Sequence, residues 1–189
     1  MNKKELRAYF REIRARVSSE NREAAAKQAA ELISTQSFFK TSQHIACYLP
    51  LDEEFDTRSL ISTIWQTNKI CYLPIVLNKK LLFGRYDKED ELKLNQYGIL
   101  EPMDQHQIVD AGQLDLVIMP LLAFDVHGHR LGTGGGYYDR TFEFLKNEKK
   151  KIWMIGLGYA SQQTDNIPVD SWDVVLDGVL TEKEVMLSS

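Results

Sequence analysis

Leu6, Phe10, Ile13 and Val17 recur at helical spacing near the start of the chain, which predicts an amphipathic helix docked by that stripe. A second helix is expected over residues 20–34, where Ala24, Ala25, Ala29, Leu32 and Ile33 supply helix propensity and an apolar side. The period then changes. Apolar runs at 44–49, 70–73, 114–124, 152–159 and 174–181 read as buried strands, with a further strand at 80–86. Between them, residues 57–68 set Leu60, Ile61, Ile64 and Trp65 on one helical face, and residues 137–147 do so with Tyr138, Thr141, Phe142 and Leu145. Strands alternating with helices predict a three-layer α/β/α domain with a largely parallel sheet, formed by residues 1–189 as one unit. The charged stretch 87–113 carries no firm period.

Charge alters this picture at one end only. The chain has a net charge of −4, which argues against a general nucleic-acid binder, yet Lys3, Lys4, Arg7, Arg11, Arg14 and Arg16 face only Glu5 and Glu12 in the first turns. Lys3, Arg7, Arg11 and Arg14 fall beside the apolar stripe, either as a solvated flank or as a local anion site. The longest apolar run, 116–124, is far shorter than the roughly 18 residues of a membrane span and contains Pro120, so no membrane partner is expected. The basic start leads into an amphipathic rather than continuously apolar segment, and the cytoplasm is the expected location. Cys47 and Cys71 each sit in an apolar run, as reduced core residues do.

The segment with chemical content is 124–140, which places Gly132, Gly134, Gly135 and Gly136 between a buried strand and a helix. Four glycines in five residues are costly to order, more than a tight turn requires, and close approach of the backbone to a ligand accounts for them. Unpaired amides at the start of a helix, beyond the end of a strand, favour a phosphate. Neither a G-x-x-x-x-G-K-[ST] loop nor a full G-x-G-x-x-[GA] fingerprint is present. His127 and His129 lack a third ligand nearby and do not form a metal-site spacing.

The run Met119-Pro-Leu-Leu-Ala-Phe-Asp-Val-His-Gly-His-Arg-Leu-Gly-Thr-Gly-Gly-Gly-Tyr-Tyr-Asp-Arg140 resembles the hallmark segment of the 5-formyltetrahydrofolate cyclo-ligases. The resemblance extends to Lys3-Lys-Glu-Leu-Arg7, Tyr48-Leu-Pro-Leu-Asp-Glu-Glu-Phe-Asp-Thr57, Gly98-Ile-Leu-Glu-Pro102 and Ile167-Pro-Val-Asp-Ser-Trp-Asp173. It implies an α/β fold similar to the phosphosugar isomerase and CoA-transferase group. It also implies an enzyme that converts 5-formyltetrahydrofolate and ATP to 5,10-methenyltetrahydrofolate, ADP and phosphate with Mg2+. By the same resemblance, ATP contacts fall on Lys3, Lys4, Arg7, Arg130, Leu131, Gly132, Thr133, Gly134, Gly135, Gly136, Tyr137 and Tyr138. Arg130 and Asp139 take catalytic roles, Asp139 and Asp173 the metal, and Leu49, Glu54 and Tyr97 the folate. Tyr97 stands where some relatives place tryptophan. For Tyr137 and Tyr138 helix packing is the competing reading, and for Glu54 a solvated acid in the 50–56 loop. A sugar-phosphate kinase or isomerase, and a non-catalytic folate- or nucleotide-binding module, are the rival functions that the glycine loop alone allows.

Overall fold

The structure, a computed structural model, describes residues 1–51, 53–103, 107–146 and 151–188. Helix α1 (Lys3–Ala15) begins where Asn2 caps it: the Asn2 side chain accepts from the N–H groups of Lys4 and Glu5, and the Glu5 carboxylate accepts from Asn2 N–H. Helix α2 (Ser19–Thr35) is capped by Ser18 and buries Ala25, Ala26, Ala29, Ala30 and Ile33. Ala24 is exposed, because alanine supplies propensity without specifying which side of a helix is buried. A short helix α3 (Ser37–Thr41), with no period of its own to announce it, follows and buries Phe38 and Phe39.

Strand β1 (His44–Ala46) lies between two parallel neighbours, β2 (Ile70–Leu77) and β7 (Leu116–Pro120), with α4 (Arg58–Gln66) connecting β1 to β2. β2 turns through Asn78 and Lys79, at φ 48° and 66°, into antiparallel β3 (Lys80–Arg85), the left-handed pair that a tight hairpin demands. The unassigned 87–113 stretch holds a small hairpin of β4 (Leu92–Leu94) and β5 (Leu100–Pro102), then β6 (Ile108–Val109) and a 3-10 turn at Ala111–Gln113. After β7 come a second small hairpin, β8 (Ala123–Phe124) with β9 (Arg130–Leu131), helix α5 (Tyr137–Phe142), β10 (Trp153–Leu157), β11 (Gly178–Leu180) and β12 (Val185–Leu187).

The eight-stranded sheet runs β12-β11-β10-β7-β1-β2-β3-β6, parallel from β11 to β2 and antiparallel at both flanks. Side chains alternate across it. Ile45, Cys47, Leu116 and Ile118 pack under α2, α3 and α4, while Ala46, Val117, Met119 and Phe83 meet Phe142 of α5 on the other face. A third cluster seats Leu6 and Phe10 of α1 on Leu122, Ala123 and Leu131 of the β8–β9 hairpin. Both cysteines are buried and free, and burial pushes the Cys47 thiol up to about 12.

Several expected boundaries move for identifiable reasons. The run at 44–49 is a strand only to Ala46, and after a last bond from Cys47 N–H to Tyr72 O the chain leaves the sheet. The run at 114–124 is two strands, because Pro120 ends the ladder and the chain then leaves to form the β8–β9 hairpin. β2 continues through Pro74, since beyond Tyr72 it has a partner strand on one side only. The segment expected as one helix at 137–147 is six α-helical residues followed by a 3-10 turn at Glu143–Lys146, and residue 147 lies outside the described residues. Among the described residues no helix is long and apolar enough to cross a membrane.

Candidate active site

Where β1 and β7 end, the departing chains leave a cavity of about 630 Å3, at the carboxyl edge of the parallel strands where open α/β sheets bind ligands. Four separate stretches meet there: Lys3 and Arg7 of α1, Tyr48, Leu49, Leu51 and Glu54 after β1, the β9–α5 segment from Arg130 to Arg140, and Asp170, Trp172 and Asp173. Pro74 and Val76 of β2, Leu81 of β3, and Ile99 and Leu100 of the β4–β5 hairpin add an apolar wall.

The glycine turn is held from two sides. Arg7 Nε–H donates to the Gly132 carbonyl at 2.9 Å, and Arg140 donates to the Gly135 carbonyl at 2.6 Å and to Lys79 O at 2.8 Å, its guanidinium 5.3 Å from the Tyr137 ring centroid. Gly134 and Gly136 have φ of 112° and 63°, conformations that L side chains rarely adopt. Gly132 has neither a positive φ nor a neighbour within 4 Å of an added Cβ, so the turn itself does not require glycine there. With α5 so short, the electrostatic pull on an anion comes from the turn amides and the arginines rather than from a long helix.

Two cation–carboxylate pairs stand beside this turn. Arg130, whose side chain is only 6% exposed, donates to Asp139 at 2.7 Å and to Val174 O, and Asp139 also accepts from Val174 N–H. Lys3 bridges Asp170 at 2.6 Å and Asp173 at 2.8 Å. Partial desolvation pulls the Lys3 ammonium down, but the bonds and charges of Asp170 and Asp173 outweigh it and leave its pKa raised. Desolvation likewise pushes Asp173 up, and is outweighed by Lys3, the Asp170 N–H and the Arg130 charge, so Asp173 sits below the usual carboxylate range.

Beyond β1, Leu49 and Glu54 line the cavity, and Glu54 accepts from Leu51 N–H at 3.1 Å. Burial, with the Glu54 charge behind it, pushes the Tyr138 hydroxyl well up against the opposing pull of Arg130, so Tyr138 stays neutral. Tyr97 and Lys4 are the two selected residues that do not line the cavity. Lys4 is one residue, a turn of 100°, off the Lys3–Arg7 ridge and points to solvent. Tyr97 is 55% exposed at the tip of the β4–β5 hairpin, edge-on to Tyr137 with ring centroids 6.5 Å apart. Sequence reasoning passed over Arg140, Asp170, Trp172, Ile99 and Leu100 as site residues, although all five lie inside segments quoted for the resemblance.

Among the described residues no three His, Cys, Asp or Glu side chains cluster as a metal cage. His129 is taken up by buried Asp125, which also accepts from the N–H groups of His127, His129 and Ile167, so this pair organises the β8–β9 turn. Asp139 and Asp173 are hard oxygen donors on the cavity wall, a fit for Mg2+ only where ligand phosphates and water complete the shell.

The fold and this cavity define an α/β protein with a ligand-sized cavity, one part of it charged and glycine-lined and another part apolar. The chain belongs to the 5-formyltetrahydrofolate cyclo-ligase family, whose description it matches over residues 1–182. It is 35% identical to the 5-formyltetrahydrofolate cyclo-ligase of Haemophilus influenzae, covering 94% of this chain and 96% of the relative, and 34% identical to that of Escherichia coli K12, covering 93% and 98%. The solved structure of Aquifex aeolicus 5,10-methenyltetrahydrofolate synthetase superposes with a TM-score of 0.84 at 31% identity, over 99% of this chain and 93% of that one. The Mycoplasma pneumoniae synthetase, at 22% identity, shares the fold with a TM-score of 0.75 over 96% and 99%.

Proposed function

We propose that the protein converts 5-formyltetrahydrofolate and ATP, with Mg2+, to 5,10-methenyltetrahydrofolate, ADP and phosphate. The observation that carries the reading is the meeting, in one cavity, of the clamped glycine turn, the Lys3, Arg7 and Arg130 cations and an apolar wall. The relatives' names support the folate chemistry, and the cavity lining is compatible with a nucleotide beside it.

A formamide carbon is a weak electrophile, but nitrogen donation makes its oxygen able to attack the terminal phosphorus of ATP, with ADP as leaving group. The C–O–P link so formed turns that oxygen into a leaving group. The neighbouring folate nitrogen then attacks the activated carbon, its proton departs, and the C–O bond breaks to release phosphate as the five-membered ring closes. Such a transfer asks the protein for alignment and charge stabilisation. In this reading the Leu131–Gly136 backbone with Thr133 meets the phosphate oxygens, and Lys3, Arg7 and Arg130 offset their charge. Mg2+ would be held by Asp139 and Asp173 and would supply further neutralisation of the triphosphate. Leu49 and Glu54 face the folate, with Tyr97 closing over it through Tyr137. Buried, reduced thiols suit a cytoplasmic setting.

The test is absorbance of the methenyl product from purified protein with 5-formyltetrahydrofolate, ATP and Mg2+, and its disappearance when ATP is omitted or the metal chelated. No product with all components present, or turnover of a sugar phosphate instead, would sink the reading.

A further inference from the structure

Trp172 is the exposed aromatic side chain on the cavity wall that neither the sequence reading nor the chemistry above uses, at 61% exposure, whereas Tyr48 on the same wall is buried. Its backbone is firmly set. Asp173 N–H closes a turn onto Asp170 O at 3.0 Å, Lys3 grips Asp170 and Asp173 together, and Lys146 Nζ donates to Ser171 O at 2.6 Å. Val174 N–H is tied to Asp139. An indole left largely in water on so well anchored a turn offers a flat apolar face to a ligand.

Position indicates the occupant. The cavity, about 630 Å3, falls within the roughly 300–1,000 Å3 of small-molecule pockets, and Trp172 lies on its lining with most of its side chain open to solvent. Trp172 stands beside Lys3, Asp170 and Asp173, on the charged side, whereas the apolar wall of Pro74, Val76, Ile99 and Leu100 is on other elements. The geometry points to Trp172 as a stacking platform for the nucleobase of the nucleotide, with the phosphates running inward past Lys3 to the glycine turn. This rests on the nucleotide reading above. Stacking is tolerant of base identity, so the shelf contributes affinity for a purine more than discrimination between purines.

The test compares ADP with inorganic tripolyphosphate, by calorimetry at fixed Mg2+, on the parent, Trp172→Ala and Trp172→Phe. Trp172→Ala is expected to weaken ADP about tenfold and to leave tripolyphosphate binding and the KM for 5-formyltetrahydrofolate within about twofold. Trp172→Phe should recover most of the ADP affinity. ADP should quench tryptophan emission in the parent but not in Trp172→Phe, since Trp65 and Trp153 lie away from the cavity. Unchanged ADP affinity in Trp172→Ala overturns the proposal. So does parallel loss of tripolyphosphate, which would mark a structural role, or a raised folate KM with ADP unaffected, which would put the folate ring on the indole. A parent that binds neither ADP nor tripolyphosphate removes the nucleotide reading itself, and this proposal with it.

Discussion

Replacing Gly132 by alanine separates a glycine that the turn needs from one that a ligand needs. An added Cβ there meets nothing within 4 Å and the φ is not in the left-handed region, so the folded state accepts it. By restricting the unfolded chain the change stabilises by about 0.4–1 kcal/mol, a rise in Tm of roughly 1–4 °C for a chain of this size. Yet the methyl group would stand on the cavity wall, where close backbone approach to a phosphate is proposed. Losing one hydrogen bond to a charged group costs about 1.5–3 kcal/mol, or roughly 10- to 150-fold in affinity. The expected result is therefore an apparent KM for ATP raised at least about tenfold with Tm not lowered, and a folate KM within about twofold. Gly136→Ala is the contrast. At φ 63°, and with its Cβ 2.7 Å from the Arg140 guanidinium, it strains the backbone by roughly 1–2 kcal/mol and lowers Tm by about 2–8 °C. Methenyl absorbance and thermal melts on the same preparations decide the matter. If Gly132→Ala keeps the parent's ATP dependence, the turn amides do not carry the phosphates.

Arg7→Ala removes both a cavity charge and the bond to Gly132 O, and should raise the ATP KM by about tenfold or more; unchanged ATP dependence returns that side chain to a purely structural role. Asp139→Asn is expected to cut turnover at least about a hundredfold while folate binding persists, and to cost about 1–3 kcal/mol because Arg130 loses its counter-charge; turnover equal to the parent's removes Asp139 from the mechanism. For pH, Asp173 is held below its usual 3.8, so its contribution to stability is present above that value and lost as pH falls through the folded pKa. Lys3 is held above its usual 10.5, so its contribution is present below that value and lost as pH rises through the folded pKa. The Tm difference between parent and Lys3→Ala should therefore be largest in the mid-range and shrink below 3.8 and above 10.5; a flat difference would show that the pair does not couple to folding.

Local periodicity carried much of this structure. The docked face of α1, the α4 stripe and the alternation of Ile45 and Ala46 or Leu116 and Val117 follow from helical and strand repeats, which need only neighbouring residues. The glycine turn was equally legible, because four costly glycines stand out in any context. Where an element draws its stability from partners far along the chain, the signal fails. The α3 turn rests on Phe38 and Phe39 in the main core, β12 on pairing with β11, and the β4–β5 hairpin on contacts with β2 and β3.

The site divides in the same way. The sequence by itself determined which cationic side chains and which bare stretch of backbone were candidates for an anion, since those are properties of single side chains and of glycine. Only the tertiary structure decided that Lys3 and Arg7, but not Lys4, reach the cavity, that Lys3 grips Asp170 and Asp173, and that an exposed Trp172 stands at its mouth. Those contacts join residues well over a hundred positions apart. They depend on how α1 packs on the β8–β9 hairpin, which no short-range repeat encodes.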